Sequence, residues 1–117
     1  MTQVKDKTNQ QLNMVLAELM GYTVDKGRPG RVLKGNMSSM PTDYCTDPAA
    51  SLEVQAKAIE VDAALYLKTL SAKVYGTTYA NVEEYDLIAL IEVKHLLLAS
   101  PRERAEAAYI TLQGAKA

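Results

Sequence analysis

Between Asp47-Pro48 and Gly76 the chain carries a long run of helix formers, and this run constrains the fold more than any other feature. Within it Leu52, Ala56, Ile59, Ala63, Tyr66, Leu70 and Val74 recur at spacings of 4, 3, 4, 3, 4 and 4, which line one face of an α-helix. Asp47 can accept a bond from an orphan amide, and Pro48 at the first helical position loses nothing by lacking its own N–H. The direct prediction is a helix over 48–75, braced by a Glu53–Lys57 pair at i, i+4. Such a helix exceeds the mean globular length, so a strand over Leu65–Val74 stays open as the alternative.

Before this run the pattern changes twice. From Thr8 to Met20 the apolar residues Leu12, Val15, Leu16, Leu19 and Met20 share one helical face, with Gln11, Asn13 and Glu18 behind it and Gly21 as a C-cap. Residues 21–46 hold four of the six Gly, two of the four Pro and two of the five Met, with no sustained period. They read as a long irregular loop, pinned by a short hairpin around Arg28-Pro-Gly-Arg31.

After the run, Asn81-Val-Glu-Glu84 has the form of a capping box and favours a third helix over 82–98. Tyr85, Leu87, Ala89, Ile91 and Val93 also alternate at period two, as a buried strand would. Ser100-Pro-Arg-Glu103 forms a second capping box, and a last helix over 101–113 places Ala105, Ala108, Tyr109 and Leu112 on its apolar face. The expected architecture is mainly α, with about four helices (8–20, 48–75, 82–98, 101–113) and the loop 21–46. An α+β sandwich with strands within 63–98 is the alternative.

At 117 residues the chain suffices for a single domain, 1–117, with one core. That core is aliphatic: there are seven Tyr but no Phe or Trp, and every ring carries a hydroxyl that needs water or a partner. Tyr is therefore expected at core margins or an interface. Thirteen basic and fourteen acidic side chains nearly cancel, which argues against the broad positive field of a general nucleic-acid binder. One cysteine cannot form an internal disulfide, the N-terminus has no apolar signal core, and no stretch is apolar enough to span a bilayer. A soluble intracellular protein without a membrane partner is the expectation.

Three blocks, in order, carry a family resemblance: Leu12-Asn-Met-Val-Leu-Ala-Glu-Leu-Met-Gly-Tyr22, Asp43-Tyr-Cys-Thr-Asp-Pro-Ala-Ala50, and Ala99-Ser-Pro-Arg-Glu-Arg-Ala-Glu-Ala-Ala-Tyr-Ile-Thr-Leu112. Together they resemble the phage ABA sandwich domain family, small proteins of tailed phages and prophages. The first is similar to that family's opening helix ending in Met-Gly-aromatic. The second is similar to its Tyr-Ser-Thr-Asp segment, with Cys45 in place of Ser, and the third to its closing Arg-Ala-Glu-Ala helix. The blocks cover about a third of the chain. The resemblance implies a phage setting and strands between helix layers, whereas 61–98 is composed mostly of helix formers. It carries no activity or catalytic residue with it.

No strong catalytic signature accompanies these blocks. Glu92-Val-Lys-His95 has the Glu-x-x-His spacing of di-metal carboxylate bundles, but the chain has one His, so a second pair cannot exist within a protomer. Glu83-Glu-Tyr-Asp86 is half of the acidic set that holds Mg²⁺ in an all-helical nucleotide pyrophosphatase, and the partner Glu-x-x-Glu is missing. Cys45 has no evident base to activate it and reads as a small buried residue. No cofactor or metal is therefore assigned.

The binding candidates are Lys26, Arg28, Arg31 and Lys34 in the Gly-rich loop, Tyr44, and Arg102 and Arg104 near a helix N-terminus. Simple pairing of the two arginines with Glu103 and Glu106 is the competing reading. The expectation is a non-enzymatic phage or prophage accessory protein in the host cytoplasm, binding a host or defence protein or a small anionic, nucleotide-like ligand. An anti-defence role and a homo-oligomer fit that expectation. A virion structural or assembly protein and a metal-dependent nucleotide hydrolase are the alternatives.

Overall fold

A computed structural model describes residues 4–75 and 96–116. The element order is a 3-10 turn (Val4–Asp6), α1 (Asn9–Leu19), β1 (Thr23–Val24), β2 (Val32–Lys34), β3 (Met37–Ser39), α2 (Pro48–Tyr75) and α3 (Pro101–Lys116). The fold is mainly helical with one small antiparallel sheet in the order β1-β2-β3. Among the described residues three elements are α-helices. Most of the expected helix 82–98 lies outside the described residues, though Leu96 and Leu97 are helical.

Both ends of α1 and the starts of α2 and α3 have local chemical causes. Thr8 and Gln11 form a reciprocal capping box at the start of α1, each side chain bonding the other's backbone N–H at 2.8 and 3.1 Å. At its far end Gly21, at φ 101°, lets the Gly21 and Tyr22 amides turn back onto the carbonyls of Glu18 and Ala17. Asp47 caps α2 by accepting from the Ala49 amide at 3.0 Å, as Asp-Pro predicts. Ser100 and Glu103 close the capping box of α3, the Ser100 amide donating to Glu103 at 2.8 Å and the Glu103 amide to Ser100 at 3.1 Å. No helix among the described residues is long and apolar enough to cross a membrane.

The expected irregular loop 21–46 contains a short three-stranded meander over 23–39. β1 pairs with β2 through Thr23↔Leu33 and Val24↔Val32, around the anticipated Arg28–Arg31 turn. β2 pairs with β3 through Lys34↔Met37, Leu33↔Ser38 and Val32↔Ser39. The second hairpin is closed by Gly35-Asn36, with Gly35 at φ 66° at the first central position, where a two-residue turn favours glycine. Strands of two or three residues are too short to show a period.

The long helix also differs from its sequence pattern. Asp62 leaves helical geometry at φ −159° and ψ 87°, and its carboxylate accepts from the Leu65 amide at 3.1 Å, capping a second helical arm inside the element. Arg104 reaches Ser51 at 3.2 Å while Glu106, two residues along α3, reaches Lys73 at 2.8 Å. In an unbroken helix Ser51 and Lys73 would stand about 33 Å apart. The break brings both arms against α3, and the Tyr66 hydroxyl donates across it to Gln55 at 2.9 Å. Residues 65–74 are helical, which removes the strand alternative there.

Bending changes which stripe is buried. Ala50, Ser51, Val54 and Ala58 face the core of the first arm, whereas Leu52 and Ile59 are 47% and 43% exposed and Ala56 is also exposed. The second arm buries Tyr66, Thr69, Leu70 and Ala72. On the facing helix Ala105, Ala107 and Ala108 are fully buried, so small side chains let α2 and α3 approach closely. The expected Glu53–Lys57 pair is not among the ion pairs of the described residues; Lys73–Glu106 and Arg102–Glu106 are. Nor do all tyrosines sit at the margin: Tyr44 and Tyr66 are fully buried.

Candidate functional site

The first turns of α1 present Asn9, Gln10 and Asn13 toward the segment that joins the sheet to α2. Asn13 both donates and accepts within the fold. Its amide donates to Asp43 at 3.1 Å, and its carbonyl oxygen accepts the Cys45 backbone N–H at 3.2 Å. Asp43 also accepts from the Thr46 amide and hydroxyl. The Thr46 hydroxyl foremost, then the Asn13 amide, hold the Asp43 carboxyl below the usual carboxylate range against the opposing effect of burial. This network fixes residues 43–46 on the side of α1.

Arg102 fixes the other side. Its guanidinium donates to Glu106 at 2.7 Å, to Asn9 at 2.8 Å, and to the carbonyls of Lys7 and Val4 at 2.7 and 3.2 Å. It also lies 3.9 Å from the Cys45 sulfur. One planar fork thus joins α3, α1, the N-terminal turn and the pre-α2 segment, a task that a lysine point charge cannot reproduce. Glu106 is partly buried, which raises its pKa, but bonds from Lys73 and Arg102 outweigh burial and the net shift is downward. Burial pushes the Cys45 thiol up, and the nearby guanidinium only partly opposes it. A raised thiol that is 3% exposed suits a core residue, not a nucleophile.

The sequence-nominated binding residues divide accordingly. Arg31 grips Ser38 through its hydroxyl and carbonyl, both at 2.9 Å, across the β2–β3 pair. Lys34 donates to Thr42 at 3.0 Å and lies 5.4 Å over the Tyr22 ring. Tyr44 is buried, and its hydroxyl is pushed up by desolvation. Arg104 bonds Ser51 and the Leu97 carbonyl, not Glu103, while Arg102 does pair with Glu106. Lys26 and Arg28 are exposed on the β1–β2 turn.

That turn already contains a carboxylate. Asp25 accepts from the Gly27 amide at 3.1 Å, and the Ser38 hydroxyl bond, with help from Gly27, Arg28 and Arg31, holds its pKa below the ordinary value. The amide that an external anion would use is occupied by the chain itself. The seven nominated residues therefore do not converge on one anion cradle. Glu83, Asp86, Glu92 and His95 lie outside the described residues. Among the described residues no group of three or more His, Cys, Asp or Glu stands together as a metal site.

Two clefts flank α1 instead. One, of about 460 Å³, is lined by Lys7, Gln10, Gln11, Met14, Val15 and Gly30. The other, of about 210 Å³, is lined by Asn9, Gln10, Asn13, Met40, Pro41, Asp43 and Thr46. Gln10 belongs to both, so they adjoin along the helix. Met40 is 54% exposed at the rim and Met37, at the start of β3, is 73% exposed. Lys7 is the cation of the larger cleft, and its ammonium lies 5.6 Å from the Tyr109 ring. Side-chain amides can both donate and accept, and flexible thioethers adapt to varied apolar shapes.

Sequence patterning assigned Asn13 to the polar back of α1 and gave no role to Gln10 or Met40. One signal was available: Asn9, Gln10, Gln11 and Asn13 cluster in the opening turns of a helix, and asparagine is a poor helix former without a compensating contact. Comparison with known protein families, characterised proteins and solved structures gives no match.

Proposed function

We propose that the chain is a non-enzymatic accessory protein of a phage or prophage that binds a host or defence protein in the host cytoplasm, along the groove beside α1. The observation that carries this reading is the pair of adjoining clefts sharing Gln10, with Met14 lining the larger and exposed Met40 the smaller. Amides match a partner's peptide groups, and the methionines supply apolar contact. The perturbed acids Asp25, Asp43 and Glu106 are each accounted for by partners inside the fold. Self-association belongs to the same proposal, and sedimentation equilibrium measures it.

A small anionic ligand is the second reading, favoured by exposed Lys26 and Arg28. It is the weaker one, because Arg31, Lys34, Arg102 and Arg104 have structural partners and Asp25 occupies the turn amide. Co-purification from host cells separates the two. A stoichiometric partner lost on Gln10→Arg with Met40→Arg, and kept on Lys26→Glu with Arg28→Glu, supports the groove. The reverse pattern, with a bound nucleotide and no protein, overturns it.

A further inference from the structure

We draw no further inference here: the strongest candidate, the exposed apolar stripe on the first arm of α2 presented by Leu52 and Ile59, carries nothing because nothing in the structure shows what covers it.

Discussion

Arg102 illustrates how one side chain can be functionally suggestive in sequence and structural in place. Near a helix N-terminus it resembles an anion contact, yet its donors reach two carbonyls, an amide and a carboxylate from separate segments. Arg102→Lys keeps the charge but loses most of these bonds. Its expected effect is a loss of about 2 kcal/mol in urea unfolding, the scale of removing more than one charge-assisted bond from a half-buried site. Retained stability would mean that the fork contributes little. The residue is visible in the sequence, but its partners span Val4 to Glu106, and nothing local announces them.

Four further residues set the pH limits. Glu106 and Asp43 have folded pKa values below the ordinary 4.5 and 3.8, so their stabilisation is present above those values and lost as pH falls through the lower folded ones. Unfolding free energy should therefore decline below about pH 4.5, and Glu106→Gln should flatten that decline while lowering stability at pH 7. Tyr66 behaves oppositely. Burial raises its pKa above the ordinary 10.0, so its contribution is present below pH 10 and lost as pH rises beyond it. Tyr66→Phe should weaken the alkaline decline, leaving the part due to buried Tyr44. Unchanged acid and alkaline limbs in these variants would contradict the assigned causes.

At the scale of elements, α2 shows what periodicity conveys and what it omits. The Asp47-Pro48 signal sets the start, and the helix formers after it are helical through Tyr75, the last described residue of the element. The break at Asp62 is hidden because Asp is tolerated inside an exposed helix as well as at a cap. The buried stripe is equally ambiguous: Leu52, Ala56 and Ile59 compete with Ala50, Val54 and Ala58, and only the close packing on α3 selects the smaller set. Asp62→Ala should cost about 1 kcal/mol by removing the internal cap, while Asp62→Asn stays nearly neutral. Equal losses would place the effect elsewhere. The sheet was half legible, since its first turn has a Pro-Gly signature and the second hairpin depends on Gly35 alone. At φ 66° a Cβ on Gly35 meets nothing within 4 Å, so Gly35→Ala should cost about 1 kcal/mol from backbone strain alone.

For the whole molecule, α3 is the common support. It packs on both arms of α2 and on α1, and through Arg102 it also holds the N-terminal turn. These ties hold α1 beside residues 40–46, and that placement creates the groove. The groove was not legible because it is formed by parts that are distant in sequence, Asn9 to Asn13 on one side and Met40 to Thr46 on the other. A virion role makes a different demand: stoichiometric presence in purified particles, read by mass spectrometry, would displace the accessory reading.

The groove itself is tested most directly by photocrosslinking in host cells, with a benzoylphenylalanine placed singly at Gln10, Met40, Lys26 or Glu60, the last an exposed position on α2. A single discrete protein adduct from Gln10 and Met40, absent from Lys26 and Glu60, is the predicted result. Adducts confined to Lys26 or Glu60, or none from either groove position, would contradict binding along α1.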